Sequence, residues 1–330
     1  MSSTPLVTLI VPTVHHRAAL YARTLRYLGA SGYRGPIVVS DHSPAAQLGV
    51  IAEATRRHAE LDVRLLEHPP ELHFLARLAR CAEAAPTPYV HLHADDDFVV
   101  LPTLHKLVEL MQRDPACGAA MGVNLHVRFG DGNVSVLPKR SIAHAAPFER
   151  LVAQLESYSS VLYALRRREE MAQTFSFTLP RCPDVQFWQY LESCVAALRG
   201  PILVLEDALH YVRGVHEQKW SSTLVRERSP DHFPYLILSG ELTGRVAAFR
   251  AALVEACAGA GAQVDAERLD TGLIHLLHRG LGAMGLPPKT AAAAGERSMD
   301  AVAKAMLTRL QDPRDAASAE LQRIFRIAGA

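Results

Sequence analysis

Apolar residues in the first hundred positions form short unbroken runs separated by helical stripes. Leu6 to Val11 (LVTLIV) is continuous and β-branched, which predicts a strand covered on both faces. His16 to Leu28 follows, with a stripe at Leu20, Thr24, Leu25 and Leu28, and Gly29 and Gly32 end it. Ile37-Val38-Val39 predicts a second strand, Ser43-Pro44 opens a helix to about His58, and Val63 to Leu66 predicts a third strand. Leu72 to Ala84 is a third helical stripe, and Tyr89 to His93 a fourth strand. The repeating strand–helix unit predicts a mostly parallel, Rossmann-type α/β sheet with helices on both faces.

The pattern changes after residue 97. Leu101 to Met111 is helical, and Gly130-Asp131-Gly132-Asn133 between Ala119–Phe129 and Val134–Leu137 signals a hairpin. Helices are expected at Phe148 to Tyr158 and Gln186 to Leu198. A short strand is expected at Val161 to Leu165, and a strand pair at Ile202 to Leu205 and Leu209 to Val212. Arg166-Arg167-Arg168, ahead of Glu169-Glu170, reads as a solvated helix start. From about residue 236 the chain turns Ala-rich, with four helical patterns near 240–258, 266–280, 290–311 and 316–327. The expected division is an α/β catalytic part at 1–235 and an α-helical C-terminal appendage at 236–330, on the acceptor side or serving dimerisation.

Composition narrows the class. The 330 residues are 49% hydrophobic and 21% charged with a net charge of +1, which is globular and lacks the basic excess of a nucleic-acid binder. Five scattered cysteines without CxxC spacing read as reduced thiols of a cytosolic protein. The N-terminus has no basic n-region, and no apolar stretch approaches the ~20 residues of a membrane span. The expected location is cytoplasmic, with attachment at the inner membrane face left open. The 16 histidines are a possible metal signature, but most sit at loops and helix ends without ligand spacing.

The sharpest chemistry is at Tyr89-Val90-His91-Leu92-His93-Ala94-Asp95-Asp96-Asp97-Phe98. A strand runs into three adjacent acids, and the carboxyl ends of strands are where open α/β sheets bind ligands. Asp95 and Asp97 can both offer oxygen to one hard cation, Mg²⁺ or Mn²⁺. The competing reading is an acidic turn capping the next helix. Asp41, ending strand two, is either a ribose acceptor or the start of an Asx turn.

Four features together resemble the nucleotide-sugar glycosyltransferases of the GT-A fold, particularly the family-2-like bacterial type. They are Ile10-Val11-Pro12-Thr13 followed by Arg17, Val38-Val39-Ser40-Asp41, Thr87-Pro88-Tyr89-Val90 leading into a DxD-like Asp95-Asp96-Asp97, and a late Tyr211-Val212-Arg213-Gly214-Val215-His216. The resemblance covers about residues 5–235. It implies transfer of a sugar from a nucleoside-diphosphate sugar, a UDP-sugar above all, to the hydroxyl of a glycan, lipid or small molecule. It places Pro12, Thr13 and Arg17 at the base, Asp41 on uracil or ribose, Asp95 and Asp97 on the ribose and metal, and Asp96 among the nucleotide-binding residues. Asp95, Asp97 and His216 would hold the metal, and inversion requires a carboxylate base. The candidates are Asp184 and Glu192, ahead of Glu206-Asp207.

Two other classes stay open. His91-x-His93-x-Asp95-Asp96 approaches a zinc hydrolase pattern, and a non-catalytic nucleotide-binding scaffold would use the Ala-rich helices. A dinucleotide enzyme is excluded, because the turn Pro12-Thr13-Val14-His15-His16 lacks glycine for close pyrophosphate approach.

Overall fold

The computed structural model describes residues 6–69, 71–214, 236, 240–282 and 293–329. Its strands are β1 (Val7–Thr13), β2 (Ile37–Asp41), β3 (Val63–Glu67), β4 (Tyr89–Leu92), β5 (Phe98–Val99), β6 (Ala119–Arg128), β7 (Asn133–Leu137), β8 (Leu165–Arg167) and β9 (Ile202–Gly214). Its helices are α1 (Ala18–Ala30), α2 (Gly49–Arg56), α3 (Phe74–Ala84), α4 (Leu101–Arg113), α5 (Pro147–Glu156), α6 (Arg168–Thr178), α7 (Val185–Arg199), α8 (Leu242–Gly259), α9 (Ala266–Gly282), α10 (Ala293–Gln311) and α11 (Ala316–Ala328).

The strands form one sheet in the order β3-β2-β1-β4-β8-β6-β9-β5, with β7 beside β6. β1 runs parallel to β2 and β4, β2 to β3, and β6 to β9, while β8 is antiparallel to both β4 and β6. Strands 1, 2, 3, 4, 6 and 9 therefore all end at one edge. The mixed α/β class expected from the strand–helix alternation is the architecture observed.

Alternation along the strands builds two cores. Leu9, Val11, Ile37 and Val39 face α1, α2 and α4, whereas Ile10, Val38, Val90 and Leu92 face α3, α6 and α7. The Ala-rich C-terminal helices divide between these layers. Phe249 of α8 packs its ring 5.5 Å from Phe187 on the second layer, and Leu273 of α9 joins the same core. Leu321 and Ile324 of α11 bury against the first layer, and Tyr27 of α1 donates to Glu320 at 2.7 Å. Among the described residues no helix is long and apolar enough to cross a membrane.

Two local expectations are corrected. The strand pair at 202–212 is one strand, β9, whose register against β6 shifts around Gly122 and Val123. Gly122 is required there, because a Cβ would lie 2.4 Å from the Ala208 carbonyl oxygen. The Arg166 to Arg168 run is not wholly a solvated helix start. Leu165–Arg167 pairs with β4, and Arg166 has no exposed surface. Its Nη1 lies 2.5 Å from Glu192 Oε1, and its Nη2 donates to Thr174 Oγ1 at 3.2 Å.

Removing one member of a buried pair leaves the other charge uncompensated. Glu192→Ala is therefore expected to lower the unfolding free energy in urea by about 3–5 kcal/mol. Arg166→Met combined with Glu192→Leu should recover most of that loss. A single variant within about 1 kcal/mol of wild type would show that the pair has no structural weight.

Candidate active site

The common strand edge carries a cleft of about 370 Å³ lined by Pro12, Thr13, Arg17, His42, Arg77, Asp95, Asp96, Tyr163 and Trp188, among others. Its floor is the turn 94–97, which follows β4. Parallel pairing sets Thr13 beside Asp41 and Ile10 beside Leu92, so the ends of β1, β2 and β4 meet there.

Arg17 organises this turn. Its Nε lies 2.8 Å from each Asp95 oxygen, and its Nη2 contacts Asp95 Oδ1 and lies 2.9 Å from Asp96 Oδ2. Thr13 Oγ1 donates to Asp95 Oδ2 at 2.8 Å. Burial opposes the charge on Arg17, but Asp95 and then Asp96 outweigh it and raise the guanidinium pKa. Arg17 Nη1 makes no hydrogen bond among the described residues, so its two N–H groups remain for a ligand.

The backbone of the same turn is fixed from two sides. From α1, Thr24 Oγ1 donates to the Asp95 carbonyl at 2.9 Å, and Arg23 Nη2 to the Asp96 carbonyl at 3.0 Å. From β9, the Tyr211 hydroxyl accepts from Ala94 N at 2.9 Å, and Gly214 N donates to Asp97 Oδ1 at 2.9 Å.

The expected site residues are only partly gathered. Pro12, Thr13, Arg17, Asp95 and Asp96 line the cleft. Asp41 closes an Asx turn, accepting from Ser43 N at 2.9 Å and Ser43 Oγ at 2.5 Å, and its neighbour His42 lines the cleft instead. Asp184, also buried and behind the cleft lining, caps α7 by accepting from Phe187 N at 2.9 Å, with Arg245 Nη1 3.9 Å from its second oxygen. Glu192 is wholly buried, accepting from Arg166 and from Ser193 Oγ at 3.1 Å. That placement removes it as a base, because no acceptor hydroxyl can reach it. Glu206 and Asp207 are exposed on the irregular stretch of β9. His216 lies outside the described residues.

The metal expected from Asp95, Asp97 and His216 was tested against the donor geometry. The oxygens suit a hard cation. However, Asp95 is occupied by Arg17 and Thr13, and Asp97 turns toward β9. Among the described residues no group of three His, Cys, Asp or Glu side chains could hold a metal ion. The described residues alone do not make up a metal site, and the third expected ligand, His216, lies beyond them.

The zinc-hydrolase reading finds no ligand set among the described residues. His91 and His93 have no exposed surface, and His91 Nε2 lies 3.1 Å from His210 Nε2. One ring must donate and the other accept, so the pair cannot be doubly protonated.

Arg77 was missed by the sequence reading. It is buried on α3 beneath the cleft, its guanidinium over the Phe74 ring at 5.3 Å, with Nε and Nη1 lacking hydrogen-bond partners. The signal was an arginine set among the apolar positions Leu75, Leu78 and Ala79. Tyr163 and Trp188, the aromatic wall, follow no spacing rule, because loop 157–164 and α7 meet only in three dimensions.

No protein-family model and no curated protein sequence matches this chain. Among solved structures, S. aureus TarS is similar at a TM-score of 0.52 and 16% identity, over 83% of this chain and 43% of TarS. This chain thus spans less than half of that protein. S. aureus TarS 1-349 in complex with UDP gives 0.51 and 16%, over 84% and 72% of the two chains. The same fragment in complex with UDP-GlcNAc gives 0.50 and 17%, over 84% and 73%. At this identity the likeness is one of fold.

The buried histidines generate a pH prediction. Burial, then the His210 and His93 rings, holds His91 well below its usual 6.5; burial brings His93 to about 4 and His210 to about 3. Their neutral forms stabilise the fold above 6.5. As pH falls below that value, the unfolded chain takes up protons that the folded one refuses. Stability is lost at up to about 1.4 kcal/mol per pH unit for each histidine. The urea midpoint should be clearly lower at about pH 5 than at about pH 7.5. Equal midpoints would contradict the burial of neutral rings.

Proposed function

We propose that the protein is a glycosyltransferase that takes a nucleoside-diphosphate sugar, with a uridine nucleotide in the 370 Å³ cleft. The observation that carries this reading is the pair of arginines there. Arg17 is locked by two carboxylates with Nη1 left for a ligand, and Arg77 is buried with Nε and Nη1 unmatched. Cations held in a partly closed site suit a diphosphate and stabilise the charge that develops as it leaves. The UDP and UDP-GlcNAc bound by TarS, which shares the fold, make uridine nucleotides the first choice.

In this reading Pro12, Thr13 and the Asp41-His42 turn border the base, and Asp96 lies toward the ribose. Asp95 acts through Arg17, holding its guanidinium in place. The acceptor hydroxyl attacks the anomeric carbon as the bond to the diphosphate breaks, with inversion. Asp184 takes the hydroxyl proton. It stands one turn before Trp188 and Gln189, which line the cleft. No step is assigned to a divalent ion, since Asp95 is already paired.

Asp184→Asn tests the base without removing the cap, because Asn caps a helix about as well as Asp. Nucleotide release from UDP-sugars in the presence of acceptor should fall by about 10²–10⁴-fold. UDP affinity and urea stability should stay close to wild type. Undiminished turnover would place the base elsewhere. A wild-type protein that binds no uridine nucleotide would overturn the function itself.

A further inference from the structure

The acidic turn also connects to the last helix of the chain. Two residues of α1 carry the connection, Arg23 and Tyr27, which stand one helical turn apart on one face. Arg23 Nη2 donates to the Asp96 carbonyl at 3.0 Å. Its guanidinium stands over the Phe98 and Phe129 rings, at 5.2 and 5.5 Å. Phe325 of α11 packs edge to face on Phe129 at 5.6 Å. The Tyr27 hydroxyl lies 2.8 Å from the Val99 carbonyl oxygen, two residues beyond the turn, and 2.7 Å from Glu320 Oε1 of α11. A phenol has one proton, so this hydroxyl is the shared link between β5 and α11. Arg323 of α11 stands over the Tyr27 ring at 5.7 Å.

Arg23 is not the residue that a core built for stability alone would place there. It is buried, and its Nε has no hydrogen-bond partner among the described residues. Burial lowers its pKa against the pull of Asp96, Asp97 and Asp95. An apolar side chain between Phe98 and Phe129 would avoid that desolvation. The guanidinium adds a fixed donor to the backbone of Asp96, whose carboxylate Arg17 grips. Helix α9 offers the contrast. It packs in the other layer, where Gly272 lies against the Leu155 side chain of α5.

We propose that α11 is a positioning element of the nucleotide site. Phe325 and Glu320 hold Arg23 and Tyr27, and through them the acidic turn, in the geometry that grips the nucleotide. The last helix then belongs to the site and not to an appendage. The inference rests on the reading of the cleft as the donor site.

The test follows backbone hydrogen exchange, and UDP binding by calorimetry, in the full chain. Coupling is reciprocal, so saturating UDP should slow exchange in wild type across 316–328 more than across 266–282. Phe325→Ala should weaken UDP binding about tenfold and Tyr27→Phe about threefold. Leu273→Ala, a core truncation in α9, should leave it within about twofold. UDP affinity unmoved by both α11-side variants would overturn the proposal, as would exchange across 316–328 unmoved by UDP. An equal loss in Leu273→Ala would overturn it too, because the effect would then be one of global stability. Failure of wild type to bind UDP would instead defeat the donor reading. Tyr27→Phe without nucleotide would still decide the role of α11: exchange across 94–99 should rise about threefold over wild type, and unchanged exchange would overturn it.

Discussion

Arg17 bridges Asp95 and Asp96, and the rest of the site depends on that contact. Three consecutive carboxylates at the end of a buried strand repel one another and resist burial. All three are nearly inaccessible. The helix that follows β1 brings the compensating guanidinium, and its next turns bring Arg23 and Thr24 to the same backbone. β9 holds the other end through Tyr211 and Gly214. The acidic turn is thus the junction of the two halves of the sheet, and a shift in it would displace both.

That junction also divides the chemistry. On the β1–β2 side, Arg17 and Arg77 bring positive charge to a cleft with an aromatic wall. On the β6–β9 side, Arg213 stands over Tyr163 and lies 4.0 Å from Asp97 Oδ2. The proposed transfer must hold its reacting atoms about 3–3.5 Å apart, and a fixed turn at the floor of the cleft is a means of doing so. A loose acidic loop would not give that alignment.

Much of the fold was legible because apolar runs and stripes report burial directly. β1 through β4, the α1 to α5 stripes and the β6–β7 hairpin lie within a few residues of their expected bounds. Legibility failed where a charged residue is buried by a distant partner. Arg166 reads as surface until Glu192, twenty-six positions later, is brought against it. Arg77 stands among the apolar positions of α3, and its place beneath the cleft shows only in three dimensions. The division of the Ala-rich helices between two layers depends on which core each meets, and composition carries no such information.

The position of the acidic turn was legible, but its partners were not. The acids after β4 stand at the ligand edge, as parallel topology requires. Their bonds to Arg17, Thr13 and Gly214 were not readable, and these bonds pair Asp95 with the Arg17 guanidinium. Asp41 likewise closes on Ser43, two residues away.

The central claim is that Asp95 works through Arg17 to hold the nucleotide. A double-mutant cycle on UDP affinity with Arg17→Met and Asp95→Asn tests it most directly. The account predicts that each single change weakens UDP binding about tenfold or more, and that the double variant is little weaker than either, a coupling above about 1 kcal/mol. UDP affinity unmoved by Arg17→Met, or losses that simply add, would contradict it.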